Sequence, residues 1–514
     1  MSRAGVIRLS LLMGECMTRE AAYAALESVD RQIVLLDHIE ATLAWDQEIS
    51  LSEQGVEERS TQLGWIAQQR HHLVSDHAME DLLAQLEGYQ GENPFQKELI
   101  AHRRREYEKQ VKLPSALVRS ISEQASKAHQ SWVEARKVGS WSLFSSDFLP
   151  MVEMVREKAD LLRSEGQSLY DPLLDHFERG MQTEEVARLF SSIKDPLKDL
   201  VHRLEQHQVD DAFLRLEYPI AAQEAFSRQV LRDMGFDFSR GSMAVSVHPF
   251  TTTVGGDDIR ITTRYTDPSV ADSLFSTIHE GGHALYEMGA TSGMLKGTSL
   301  ANGASLGMHE SQSRLWENII GKSPEFWEHY YPLFASHFPE QTAQVDLKQF
   351  VQAINKVQRN PIRVNADEVN YTLHIILRFE LERQILDGTL CVSDIPDAWD
   401  AKHAELFGYT PNSIKEGALQ DVHWSSGDFG YFPTYALGNL YGAQIWQQVQ
   451  RELDVSSLLK RGELGTISSL LRKAIYEKGA LQSGLDTLVS YTSKGLDATV
   501  FTSYLEDKFS RLFG

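Results

Sequence analysis

Apolar residues recur at helical spacing over most of this chain. Within residues 18–38, Leu26, Val29, Ile33 and Leu36 share one side of a 3.6-residue repeat, which predicts an amphipathic helix. Residues 57–86 and 94–136 predict two further long, heavily charged amphipathic helices. The second contains HRRREYEKQVK, residues 102–112, whose interleaved glutamates read as one solvated helix face rather than a nucleic-acid patch. One region breaks the pattern. Residues 243–265, MAVSVHPFTTTVGGDDIRITTRY, alternate apolar and polar and are rich in Val, Ile and Thr. With Gly255-Gly256 in the middle, they predict a β-hairpin. Pro249 confines its first strand to an edge or a bulge. The expected class is mainly α, with a small sheet that lines a site.

Directly after the hairpin, Asp267-Pro268-Ser269 predicts a turn and a helix start, and the helix runs through Leu274, Ile278 and Leu285. It carries HEGGH. His279 and His283, four apart, lie on one helix face, so both imidazoles can reach one metal ion. Glu280 points about 100° away, where it can serve a metal-activated water. Gly281 and Gly282 cost a helix about 1 kcal/mol each relative to alanine. Two reasons stand side by side: close approach of a backbone or substrate to the metal, or tight helix packing.

A catalytic zinc takes three protein ligands and leaves one position open. Glu287 is on the same helix and cannot complete the set. The next predicted helix, residues 303–321, ends at a glycine cap on Gly321 before Pro324 and offers Glu310 and Glu317, of which Glu310 is favoured.

Composition narrows the partners. Lys+Arg total 50 against Asp+Glu 72, a formal charge of −22, which disfavours nucleic acid and anionic membranes. Two cysteines, Cys16 and Cys391, exclude a disulfide framework and suit a reducing compartment, so the expected location is cytoplasmic. No apolar run approaches the ~20 residues of a membrane span. In the first 17 residues Arg8 interrupts the apolar stretch and no small-x-small cleavage site follows. They are expected to be a disordered extension, with Met17 as the alternative start, ahead of one domain over residues 18–514.

Six ordered segments then carry a resemblance to a known family. They are HPF (His248, Pro249, Phe250), DxRxT (Asp258, Arg260, Thr262), HExxH (His279, Glu280, His283), HESQ (His309 to Gln312), IRxxAD (Ile362, Arg363, Ala366, Asp367) and GxxQDxHW (Gly417, Gln420, Asp421, His423, Trp424). LAWDQE, residues 43–48, adds to them. Together they resemble the carboxypeptidase Taq family of metallocarboxypeptidases. The resemblance implies a large helical domain with a deep substrate groove, release of single C-terminal amino acids with broad specificity, and a homodimer. It also implies Glu310 as third ligand and one divalent ion per chain, zinc by default and cobalt as the alternative. On this reading Glu280 is the general base, and His423 with Tyr431 or Tyr435 supplies oxyanion donors. Arg363, just before a helix start at residues 365–368, is the expected clamp for the substrate's terminal carboxylate. Arg260 and Arg314 compete for that role, and His248 is expected to line the groove. Two other readings stay open: an oligopeptidase or dipeptidase of the same architecture, and a non-catalytic peptide binder with a structural metal. The intact Glu280 speaks against the last.

Overall fold

A computed structural model describes residues 17–265 and 269–514. The expected extension, apart from Met17, and Asp267-Pro268 of the expected turn lie outside the described residues. Met17 already packs on a hydrophobic core. Helix α1, Arg19–Ile49, starts at Thr18, whose hydroxyl accepts the Ala21 N–H at 3.3 Å, and runs well past residue 38.

The two long predicted helices are each divided. The first is α2, Val56–Ser75, and α3, His77–Gln85. Asp76 makes the break, because its carboxylate caps α3 by accepting the Ala78 N–H at 3.1 Å. The second is α4, Pro94–Lys112, and α5, Ser115–Val138. Here Pro114 has no N–H and forces Leu113 out of the helical region, to φ −96° and ψ 118°. The basic run on α4 is not the solvated face expected. Arg103 is only 2% exposed and donates to Asp30 at 2.6 Å, Arg105 to Glu98 at 2.6 Å and Lys109 to Asp175 at 2.7 Å. Arg103 and Lys109 find acids on other helices, Arg105 finds one further back on α4, and Arg104 donates to the Leu83 carbonyl, so these cations are paired within the protein, with Arg103 alone fully buried.

Four helices follow: α6, Trp141–Leu162; α7, Asp171–Phe177; α8, Thr183–Leu204; and α9, Ile220–Met234. The apolar interior has two parts. A large core extends from α5 to the C-terminal helix. A small one joins Leu26 and Ile33 of α1, Leu82 of α3 and Leu99 of α4 to Leu295 and Leu300. Within the small core, buried Asp30 ties α1 to α4 and to the segment that carries Leu300. Besides Arg103 it accepts the Ser299 N–H at 3.0 Å and the Ser299 hydroxyl at 2.6 Å. Beside this tie lies a cleft of about 390 Å³, lined by His38, His102, Thr252, Glu287 and His309 among others.

The sheet has three strands, β1 (Gly241–Val245), β2 (Thr251–Gly255) and β3 (Asp258–Thr263), in the order β1-β3-β2. The predicted hairpin is β2–β3, turning at Gly256-Asp257, with a bulge between Thr253 and Gly255. β1 pairs parallel to β3, a partner that alternation alone does not reveal. Pro249 falls between β1 and β2 and not within a strand, where its missing N–H costs no ladder bond. Thr251 and Thr253 lie opposite Ile261 and Ile259, and Thr252 opposite Arg260. Period-2 alternation therefore gives the sheet two distinct faces: one meets the next helix, and the other, with Arg260, meets Trp45 of α1.

Candidate metal centre and carboxylate pocket

Helix α10, Val270–Ala290, opens at Ser269, whose hydroxyl accepts the Ala271 N–H at 3.3 Å. Helix α11, Leu306–Arg314, opens at Ser305 and continues as a π-helical stretch, Leu315–Ile320. Gly321 has φ −64°, so it is not the left-handed cap expected. The next helix, Pro324–His337, starts independently at its own cap, Ser323.

The glycines of HEGGH are explained by helix packing. A Cβ on Gly282 would stand 2.7 Å from Ser313 Cα and 2.8 Å from the Gln312 carbonyl oxygen, both backbone of α11. A Cβ on Gly281 would meet Leu231 of α9 at 2.6 Å. From the other side, a Cβ on Gly438, in helix Pro433–Glu452, would lie 2.8 Å from Glu310 Cβ. Helix α11 is thus pressed between two helices that each give up a side chain, and this closeness delivers Glu310 to the histidines.

Glu310 Oε2 lies 3.7 Å from His279 Nε2 and 3.5 Å from His283 Nε2. One ligand atom from each of the three falls within 4.8 Å of the others. Both Nδ1 atoms are engaged elsewhere: His279 with Glu317 Oε2 at 2.9 Å, His283 with His309 Nδ1 at 2.6 Å. This leaves the two Nε2 atoms and one carboxylate oxygen converging, the donor set a divalent ion takes. The residues fit a metal.

The electrostatics agree. Burial alone would raise the Glu310 carboxyl, but Arg314 (Nε to Oε1, 2.7 Å) and the histidines hold it well below the usual carboxylate range. Burial lowers both histidines as well. Facing Glu310 and Glu317, His279 is nevertheless raised above its ordinary value, whereas His283, facing His309 as well as Glu310, falls to about 4. Glu280 is buried, which pushes its carboxyl up, and its Oε2 accepts the Thr251 hydroxyl at 2.6 Å.

A second cluster is built around Asp421. Arg363 forms a 3₁₀ turn with Asn365 before helix Glu368–Asp387, whose N-cap is Asp367. The Arg363 Nε donates to Asp421 Oδ1 at 3.0 Å and Nη2 lies 2.9 Å from the same oxygen. Arg378, fully buried, donates to Oδ2 at 2.6 Å. Two guanidiniums share one carboxylate. Burial would raise Asp421, but the two arginines hold it well below its usual range, and burial beside Arg363 lowers Arg378 to about 10. Arg363 Nη1 also donates to the Tyr371 hydroxyl at 3.0 Å, while Arg314 stacks 4.2 Å over the Tyr371 ring. Tyr371 thereby links this cluster to the metal centre through Arg314 and Glu310.

The remaining predicted residues either sit at the Asp421 end or lie apart from both clusters. His423 rings with Tyr431 at 5.2 Å and Tyr435 at 6.4 Å, and Tyr435 lies under Arg363 at 5.1 Å. The His423 Nδ1 is buried without a hydrogen-bond partner among the described residues, and burial next to Arg363 lowers its pKa to about 4. Arg260 is held by Asp258 at 2.6 Å and stacks on Trp45 at 5.5 Å, on the sheet face away from α10. His248 is exposed, and its carbonyl accepts the Ser246 hydroxyl at 2.6 Å. These two are not brought to the metal centre. Arg378 and Tyr371 carry no motif that singles them out, whereas Glu317, a candidate ligand, and His309, in HESQ, turn out to be the partners of the two Nδ1 atoms. The signal for His309 is its place beside Glu310, and Glu287, at i+4 from His283, is in turn the partner of His309 Nε2.

Comparison with known proteins agrees with this geometry. The family model for carboxypeptidase Taq (M32) metallopeptidases matches residues 25–509. Thermostable carboxypeptidase 1 of Thermus thermophilus is 36% identical, covering 97% of this chain and 100% of its own length. Carboxypeptidase 1 of Bacillus subtilis is 35% identical, covering 92% and 95%. The crystal structure of M32 carboxypeptidase from Deinococcus radiodurans R1 superposes with a TM-score of 0.92 at 34% identity, over 96% of this chain and 99% of that one. A helical body, a small sheet beside HExxH, and matches of this extent lead to one conclusion: the chain belongs to the carboxypeptidase Taq (M32) family of metallopeptidases.

Proposed function

We propose that this metallocarboxypeptidase removes single amino acids from the free C-termini of peptides, with broad specificity. The observation that carries the reading is the Arg363–Arg378–Asp421 cluster. Two buried cations on one anion leave an excess positive charge beside the metal centre, and a buried charge of that kind calls for an anionic partner. A peptide's terminal carboxylate is such a partner, and after Asp421 and Tyr371 each terminal nitrogen of Arg363 keeps one N–H to donate to it. Among the described residues no helix is long and apolar enough to cross a membrane.

His279, His283 and Glu310 would hold the divalent ion, with zinc as default and cobalt as alternative. When bound, that ion supplies Lewis acidity, which lowers the pKa of water towards neutrality. Glu280, oriented by Thr251, takes the proton from the attacking water and passes it to the leaving amine. His423, with its free Nδ1, and one of Tyr431 and Tyr435 donate to the oxyanion. Arg363 fixes the register, so the scissile bond is the last one in the peptide. Arg260 is the alternative anion site and His248 a contact at the groove rim. Residues 18–514 act as one peptidase domain in a cytoplasmic homodimer.

The test uses a blocked dipeptide and its C-terminal amide with the metal-loaded protein. The expected result is one free amino acid from the acid and little reaction with the amide. Internal cleavage of longer amidated peptides at a comparable rate would instead assign an oligopeptidase.

A further inference from the structure

Four polar residues behind the metal centre have no part in the chemistry above. Glu317 Oε2 meets His279 Nδ1, and the Glu317 carboxylate is itself held by Arg314 Nη1 at 3.3 Å and Lys322 Nζ at 3.3 Å. On the other ligand, His283 Nδ1 meets His309 Nδ1 at 2.6 Å, His309 Nε2 meets Glu287 Oε1 at 2.5 Å, and the Thr253 hydroxyl donates to Glu287 Oε2 at 2.9 Å. Two imidazole nitrogens at hydrogen-bond distance need one proton between them. If His283 gives Nε2 to a metal, its proton sits on Nδ1 and is donated to His309 Nδ1. His309 must then carry its own proton on Nε2, which donates to Glu287. Along this chain every donor faces an acceptor, from the sheet to the ligand.

We infer that Glu317 and His309 are positioning residues that set the tautomer and ring orientation of His279 and His283, with Glu287 and Thr253 fixing His309 from behind. The inference rests on the metal reading above. The two arms differ in kind. Glu317 is a carboxylate, so it makes His279 the more electron-rich donor, whereas His309 offers His283 an imidazole acceptor. Partners of this type commonly change metal affinity about 10–100-fold. The carboxylate arm is expected at the upper end of that range and the imidazole arm at the lower.

The experiment measures zinc and cobalt affinity by chelator competition for Glu317→Ala, Glu317→Gln, His309→Ala and His309→Asn, with His279→Ala as reference. It adds the absorption spectrum of the cobalt-loaded protein and thermal unfolding of the metal-free protein. Affinity is expected to fall about 100-fold in Glu317→Ala and about 10-fold in His309→Ala. Glu317→Gln and His309→Asn, which keep an acceptor oxygen, recover part of the loss. The cobalt spectrum shifts in both alanine variants, and unfolding of the metal-free protein reads separately the cost of leaving Arg314 and Lys322 without the Glu317 carboxylate. Affinities within about twofold of wild type in both alanine variants, or in both conservative variants should the alanine ones fail to fold, overturn the inference. Wild-type affinity in His279→Ala would overturn the metal reading itself, so the two failures are distinguishable.

Discussion

The two ends of the site are unbalanced in opposite directions. Around the histidines, Glu280, Glu310 and Glu317 gather with Arg314 and Lys322, so carboxylates outnumber cations. Around Asp421, two guanidiniums share a single carboxylate. One end lacks positive charge and the other lacks negative charge, and Tyr371 with Arg314 joins them. Burial makes each imbalance costly unless a ligand cancels it. The difference supports the proposed reading, in which one end takes a dication and the other a carboxylate.

The strongest way to break the comparison is to empty its acidic end. Glu310→Ala, or removal of divalent metal with a chelator, should lower metal content and turnover together, to the background rate. Full metal occupancy in Glu310→Ala with loss in Glu317→Ala would exchange the roles of the two acids. Next in size is Glu280→Gln. It should keep the metal and lose about 10²–10⁴-fold in kcat, measured beside metal analysis. Retained turnover with metal bound would remove Glu280 from the reaction.

The packing that creates the acidic end is open to test as well. Gly282→Ala sets a methyl against backbone of α11, and overpacking of this kind costs about 1–3 kcal/mol, read by denaturant unfolding. Gly281→Ala meets the end of the Leu231 side chain, which can turn aside, so its cost should be smaller.

How far this was legible in the sequence depends on the kind of interaction. The spacing of His279 and His283 fixes their common face, because a helix has only one period. Glu310 and Glu317 differ by two turns on one face, so spacing leaves open which meets Nε2 and which Nδ1. The π-helical stretch that carries Glu317 has no sequence signature. The helix breaks at Asp76 and Pro114 hide inside continuous amphipathic patterns, although a proline and a capping aspartate mark them afterwards. Arg103 reads as solvated because its partner, Asp30, lies far away in the chain. Arg363 was visible as a candidate cation, but its sharing of Asp421 with Arg378 depends on tertiary packing alone.

The smallest effect concerns a pair of buried carboxyls, one under each end. Glu178 accepts the Ser305 hydroxyl and the Gly307 N–H at the start of α11, and Glu382 accepts Trp424 Nε1 next to His423. Burial pushes both up from 4.5 to about 7. Between those values the folded protein holds protons that the unfolded chain has released. Their contribution to stability is therefore complete below about 4.5 and is lost as the pH rises through about 7. In thermal unfolding, Glu178→Gln and Glu382→Gln should each gain on wild type as the pH is raised across this window. A difference from wild type that does not vary with pH would contradict the assignment.

The most direct test of opposite ligands at opposite ends crosses enzyme and substrate: wild type and Arg363→Ala, each on a blocked dipeptide and on its C-terminal amide. A charge-assisted bond to a desolvated carboxylate is worth on the order of 1.5–3 kcal/mol. Arg363→Ala should therefore lower kcat/KM on the acid by roughly ten- to several-hundred-fold, leave the amide nearly unchanged, and keep its metal. Arg363→Lys should restore only part, because a point charge lacks the fork. If Arg363→Ala still prefers acid over amide as strongly as wild type does, the terminal carboxylate is read elsewhere, and Arg260 is the residue to change next.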